Sequence, residues 1–250
     1  MTMTVIPDFG EWTCVGRSCW RVGSAGSAAV SRGIELVATA LPGHIAAGRW
    51  ARYWILLDEP APPPTDVTLT PISEDMIRHF KRHPDRDANQ LQSAFRFWEH
   101  GLRRAYVWWT RDGPQCLQWL LTADDAPLLR TLPDWAGMYP PTPPRWGRVE
   151  NLFAFSTARH RGAATKFEYA LYFEARNRGL DGLVTHIHED NAPARGWADR
   201  TGWRPGGTIT RYQLDLPGRR GVTVCVHRRG STPRILGSPQ AGSYPAPAGT

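Results

Sequence analysis

Between Asp66 and His227 the apolar positions switch repeatedly between a spacing of two residues and a spacing of three to four, the marks of strands and amphipathic helices. "DVTLTPI" predicts a strand. "SEDMIRHF" opens with Ser73 and two acids, the chemistry of a helix start. "ANQLQSAFRFWEHG" places Leu91, Ala94, Phe95 and Trp98 at helical spacing and stops at Gly101. "RAYVWWT" and "QCLQWLL" flank "RDGP" and read as a hairpin. "GRVENLFAFS" predicts a strand. "GAATKFEYALYFEARNRG" predicts a helix with Ala163, Phe167, Ala170, Leu171 and Glu174 on one face and Gly179 as its stop. "GLVTHIH" is a strand, "NAPARGWADRTG" a short helix, and "GTITRYQLDL" and "GVTVCVH" a terminal pair of strands. The order β-α-α-β-β-β-α-β-α-β-β describes a mixed α/β sheet with helices on both sides.

Proline marks the borders. "DEPAPPPTD" fits neither helix interior nor central strand and reads as a stiff linker. Before it, "WTCVGRSCWRV" suggests one or two strands. "SRGIELVATAL" suggests a short helix with Ile34, Leu36, Val37 and Leu41 as its apolar residues. "RWARYWILL" is too short for periodicity to choose between helix and strand. Between Thr122 and Arg145 lies an irregular stretch with prolines at 127, 133, 140, 141, 143 and 144, of a length that is usually functional or mobile. Past Arg229 the chain is Gly, Ser and Pro and is expected to be disordered. The expected division is an extension over 1–60, a domain over 66–228 and a tail over 229–250.

The 250 residues carry 41% hydrophobic residues, enough for a core, and a formal charge of +7. The excess is arginine, since only Lys81 and Lys166 are lysines. Arginine favours phosphate and carboxylate ligands, although a GC-rich coding bias produces the same composition. The arginines are scattered, not striped along a helix, so a nucleic-acid-binding module ranks last. Cys14, Cys19, Cys116 and Cys225 form no C-x-x-C pair and no His/Cys set has zinc spacing, so no metal is expected. With neither a signal peptide nor an apolar run of about 18 residues, the expectation is a cytoplasmic protein with reduced thiols and no membrane partner.

One stretch concentrates chemistry: "ARHRGAATKFEYALYFEARNRGLDGLVTHIHEDN", from Ala158 to Asn191. A strand leads into a turn and the helix begins near Gly162. First-turn N–H groups are unpaired and the helix dipole adds positive potential. Small residues at 162–164 allow close approach to the backbone, and Arg159, His160 and Arg161 stand beside it. By itself this reads either as a diphosphate cradle or as a helix that merely begins at a glycine.

The spacing extends further. Arg159-x-x-Gly162-x-Ala164 resembles the R/Q-x-x-G-x-G/A motif of the GCN5-related N-acetyltransferase (GNAT) superfamily. Asn191-x-x-Ala194-x-x-Trp197-Ala198-x-x-x-Gly202-Trp203 resembles that family's downstream helix pattern, N-x-x-A-x-x-F-Y-x-x-x-G-F. The resemblance covers about Asp66 to His227. It implies a GNAT-like mixed, mostly antiparallel central sheet flanked by helices, with the first sixty residues as an N-terminal extension. It implies acyl transfer from acetyl-CoA or another acyl-CoA to an amine of a small molecule or peptide, by direct attack. The backbone of Arg159, His160, Arg161, Gly162, Ala163 and Ala164 would hold the CoA pyrophosphate. Phe153, Ala154 and Phe155 would pair with the pantetheine arm, a bulge N–H there would polarise the thioester, and Asn191 would bind the pantetheine region.

The sequence departs from the pattern where the family carries a Tyr that protonates the leaving thiolate. That position is Ala198. Tyr212 and Tyr139 are the candidate replacements. An alternative is a GNAT-fold protein that binds acyl-CoA without efficient turnover, as a sensor or partner. Glu150 is the first candidate for the base that takes the amine proton, weighed against a strand-end carboxylate paired with arginine. His186 shares a strand face with His188 and is a second candidate, weighed against a structural histidine. Trp135, Met138, Tyr139 and Trp146 suggest a lid over an apolar or aromatic acceptor, or a wrap that only packs. For the N-terminal segment three roles stay open: shaping the substrate site, an interface of a homodimer, or an extra layer on the sheet.

Overall fold

The computed structural model describes residues 12–15, 18–40, 45–57, 64–132, 135, 138, 142–214 and 222–229. Before the proline-rich break come β1 (Trp12–Val15), β2 (Ser18–Arg21), α1 (Ser24–Ala40) and β3 (Ile45–Leu56). After it come β4 (Leu69–Pro71), α2 (Glu74–Phe80), α3 (Asn89–Glu99), β5 (Ala105–Thr110), β6 (Gly113–Leu121) and α4 (Ala126–Leu129). Then follow β7 (Trp146–Ala154), α5 (Ala163–Asn177), β8 (Gly182–His188), α6 (Ala192–Arg200), β9 (Arg204–Leu214) and β10 (Val222–Arg229). From Asp66 onward this is the expected order, with the short α4 added inside the proline-rich stretch. The Ser73 hydroxyl caps α2 by accepting from the Met76 N–H at 3.3 Å. The tail beyond Arg229, Leu41 and Tyr139 lie outside the described residues.

The described strands form one sheet in the order β2-β1-β10-β9-β3-β8-β7-β6-β5-β4. Every pairing is antiparallel except β7 with β8. The segment read as an extension is thus threaded into the sheet, with β3 between β8 and β9 and paired to both. This settles the "RWARYWILL" ambiguity: two flanking strands satisfy its backbone, and Tyr53, Trp54 and Ile55 are buried. A strand covered on both faces shows an unbroken apolar run, which periodicity cannot classify. In α1 the expected apolar face is only partly used. Val30 and Ile34 pack against Tyr212, Val224 and Val226, while Leu36 is 72% exposed.

Helices cover both faces. On one, α2 and α3 pack over Val107, Leu117, Trp119, Phe153 and Phe155, with Met138 and Trp135 from the proline-rich stretch. On the other, α5 and α6 pack over Tyr106, Cys116, Leu120, Val149 and Leu183.

Candidate active site

The site begins where two parallel strands part. β7 and β8 pair only over Trp146–Arg148 and Gly182–Val184. Gly182 makes this close approach possible. A Cβ there would stand 2.5 Å from the Trp146 ring and 2.8 Å from the Ile55 carbonyl. Beyond Val184, β8 stays with β3 as far as His188, while β7 stays with β6. Asn151, with φ +62°, bends β7 outward at the irregular register opposite Leu117–Trp119. A cavity of about 310 Å³ fills the gap and is lined from both sheet faces. Glu150, His186, Trp135 and Met138 reach it from the α3 side, and Glu168, Trp197 and Trp203 from the α5/α6 side.

The open edge of β7 is itself polar. Phe155 donates its N–H to Gln115 O at 3.0 Å, toward β6. Peptide groups alternate edges along a strand, so Ala154 and Leu152 face the gap. There the Ala154 carbonyl accepts from Arg159 Nε at 2.9 Å, and the Arg159 guanidinium lies over the Phe153 ring. Phe153 and Phe155, expected to pair with a pantetheine arm, turn buried side chains into the α3-side core.

The turn into α5 is left-handed at His160 (φ +62°) and at Gly162 (φ +72°), with Arg161 between them outside that region. Such alternation curls successive N–H groups into a concave anion nest. The nest joins a helix whose first N–H groups have no acceptor within the helix. Nothing lies within 4 Å of where a Gly162 Cβ would be, so the backbone is open to approach. Arg159, His160 and Arg161 are all exposed around it.

Glu150 is not an exposed strand-end carboxylate. It sits in mid-strand, 4% exposed, 3.7 Å from the Arg148 guanidinium and 3.4 Å from His186 Nδ1. His186 Nδ1 is also 3.0 Å from Arg148 Nη1. Burial first, then Arg148, Arg52 and His227, hold the His186 imidazole well below its ordinary pKa. The ring is therefore neutral, its Nδ1 accepts the arginine N–H, and its proton is on Nε2. The approach of Glu150 to the same Nδ1 is then a contact and not a hydrogen bond. Arg52 continues the buried ladder to His227 Nδ1 at 3.2 Å, and burial together with Arg148 lowers it to about 10.

A second acid, absent from the sequence reading, lies on the opposite face. Glu168 of α5 is 2% exposed and lines the cavity. Burial pushes its carboxyl up to about 7, against the opposing pull of the Gln118 amide and the Tyr172 hydroxyl. Tyr172 in turn accepts from Trp203 Nε1 at 2.6 Å. One signal could have found this corner. Phe167, Glu168, Leu171, Tyr172 and Ala175 form one stripe of α5, and Glu is the only ionisable carboxyl in it. The face expected from Ala163, Phe167, Ala170, Leu171 and Glu174 is shifted accordingly: Glu174 lies at its rim, paired with Arg178 and accepting from the Tyr106 hydroxyl.

Of the residues expected at the site, Glu150, His186 and Asn191 line the cavity. The Asn191 Oδ1 caps α6 by accepting from the Ala194 N–H at 3.2 Å. Tyr212 is not brought there. It lies on β9, two strands from β8, buried under α1 with Val224 and Val226. Ala198 is fully buried between α5 and the sheet. Trp146 packs at the strand junction; of the expected lid, Trp135 and Met138 reach the cavity. Among the described residues no helix is long and apolar enough to cross a membrane, and no His, Cys, Asp or Glu group is placed to hold a metal.

No family model and no curated protein matches the sequence. Solved structures do match the fold. The GCN5-related glucosamine N-acetyltransferase region of a fungal multi-domain GH3 β-N-acetylglucosaminidase aligns with a TM-score of 0.51 at 11% identity, over 80% of this chain and 23% of that one. A GCN5-related N-acetyltransferase from Sphaerobacter thermophilus gives 0.46 at 12% identity, over 89% of this chain and 61% of that one. A GNAT-family acetyltransferase from Colwellia psychrerythraea gives 0.47 at 8%, over 78% and 61%. The chain has the GNAT fold.

Proposed function

We propose that the protein is a CoA-dependent N-acyltransferase that moves an acetyl or other acyl group to an amine of a small molecule or peptide. The observation that carries this reading is the cavity running through the sheet at the β7/β8 splay, with the left-handed turn into α5 opening beside it. The turn at Arg159–Ala164 would take the CoA pyrophosphate on backbone N–H groups. The arm would run along the open edge of β7 at Ala154 and Leu152, where the Leu152 N–H would stabilise the developing oxyanion. Arg159 would leave the Ala154 carbonyl for the phosphates. The amine enters from the α3 side, its nitrogen attacks the thioester carbon, the C–N bond forms and the C–S bond breaks. Glu150 is the base on that side. His186, held neutral, is the poorer base and serves to orient Glu150 through Arg148. Acyl-CoA is a substrate here and no metal is required.

Ala198 favours a second reading, acyl-CoA binding with weak turnover, because α6 offers no hydroxyl to the sulfur. Calorimetric titration with acetyl-CoA, CoA and a longer acyl-CoA separates the outcomes. Binding lost in Gly162→Glu, followed by turnover in an amine screen, supports acyl transfer. Binding without turnover of any amine supports the second reading, and no binding of any of the three overturns both.

A further inference from the structure

The ionisable groups that line the cavity divide by face. Among the described residues, Glu150, His186 and His188 stand on the α3 side, and Glu168 alone on the α5/α6 side. A donor anchored by phosphates at the α5 N-terminus lies along the α5 face. Glu168 is six residues past Gly162, about 9 Å down the helix axis at about 1.5 Å per residue, and it lines the cavity into which that donor would run. The acceptor must then come from the other face, where Glu150 is. We propose that Glu168 is the proton donor to the departing thiolate, so that two carboxyls on opposite faces of the splayed strands divide acid and base work. This rests on the acyl-transfer reading above.

The carboxyl is built for the task. Gln118 and Tyr172 both stabilise its ionised form, so both donate to it. Its Oε2 is buried and has no partner among the described residues, which leaves that oxygen to carry the proton into the cavity. The titratable neighbours are Tyr172 on α5 and Cys116 on β6. Burial keeps both neutral, raising Tyr172 well above its ordinary value and Cys116 to about 12. Glu150 and His186 face it across the cavity. The step balances: the amine proton goes to Glu150, the C–S electron pair goes to sulfur, and the Glu168 proton joins it to give the free thiol. Glu168 is left as a carboxylate held by Gln118 and Tyr172, and both acids exchange with solvent before the next turnover. An acid with pKa near neutrality suits a thiolate leaving group.

The test uses the full chain and Glu168→Gln with acetyl-CoA and the best amine found. Infrared difference titration of the unliganded protein should show a protonated carboxyl that disappears with a midpoint near neutrality and is missing in Glu168→Gln. In kcat, the wild type should fall tenfold per pH step above that midpoint. Glu168→Gln should lose that limb and about 100-fold or more in kcat, with KM for acetyl-CoA within about threefold. If that variant does not fold, Gln118→Leu keeps the carboxyl and removes one donor, so midpoint and limb should move together to higher pH. Wild-type kcat with an intact basic limb in Glu168→Gln, or a limb in Gln118→Leu that stays put while the midpoint moves, overturns the proposal alone. A wild type that binds acetyl-CoA and turns over no amine overturns acyl transfer and the acid role with it.

Discussion

Glu168 makes a stability prediction that needs no substrate. In the unfolded chain it titrates near 4.5, and in the folded chain burial raises it to about 7. Between these values the folded state holds a proton that the unfolded state has released, so its stability falls as pH rises through the window. The contribution is absent below about pH 4 and complete above about pH 7. A tenfold change in proton affinity is about 1.4 kcal/mol, so the full effect is about 3 kcal/mol. The side chain is buried, so solvent does not screen it. Glutamine copies the shape of the protonated acid and does not titrate. Urea unfolding of wild type and Glu168→Gln should therefore give equal stabilities near pH 4. By pH 8 a gap of about 3 kcal/mol should have opened in favour of the variant. Comparing the two proteins at each pH cancels every other titrating group. A gap that is constant with pH, or that favours wild type at high pH, would refute the argument from burial.

Three further predictions concern the splay and the turn beside it. Gly162→Glu should abolish calorimetric CoA binding by setting a carboxylate in the nest, whereas Gly162→Ala meets open space and should lose only about 1–2 kcal/mol of stability to its left-handed φ. Arg148→Met should destabilise by about 3–5 kcal/mol in urea unfolding, because Glu150 stays buried without its cation. Adding Glu150→Gln should recover most of that, and no recovery would mean that the ion pair is not the cause. Removing residues 1–60 should leave a chain without cooperative unfolding by circular dichroism, since β8 and β9 lose the strand between them; a folded remainder that binds CoA would refute this.

The sequence revealed most where one local rule governs an element. Ser73 at the start of α2, Gly179 after α5 and the RDGP turn between β5 and β6 each specify structure within a few residues, and each element stands where expected. β3 could not be read this way, because its strand character is imposed by partners more than a hundred residues away in sequence. Tyr212 failed for a related reason. It belongs to a strand near the chain end, and only the insertion of β3 decides that β9 is set away from β8. The turn at Gly162 was legible because glycine and small residues at a strand-to-helix junction have a local cause. The acid at Glu168 was not, since an ionisable residue on a helix is exposed by default and only packing against Gln118 and Tyr172 makes it otherwise.

The insertion of β3 also accounts for the cleft. A strand in β8's position can extend its ladder on either edge. Toward β3 it makes seven register pairs, from Gly182 to His188, and toward β7 three. Both neighbours hold at Gly182–Val184, where Gly147 and Gly182 let the backbones approach. Past Val184 the strands twist, β7 bends at Asn151 and remains with β6, and β8 follows β3. The gap that results exposes the β7 edge and brings Glu150 and Glu168 to one cavity from opposite faces. The residues resembling a cofactor motif lie after Val149, but the opening they border is held by a strand from the first sixty residues. A substitution in β3 that weakens its pairing with β8, such as Ala51→Pro, whose N–H faces β8, should thus reduce CoA binding without touching the turn at Gly162. Unchanged binding in a folded Ala51→Pro variant would show that β7 alone keeps the cleft open.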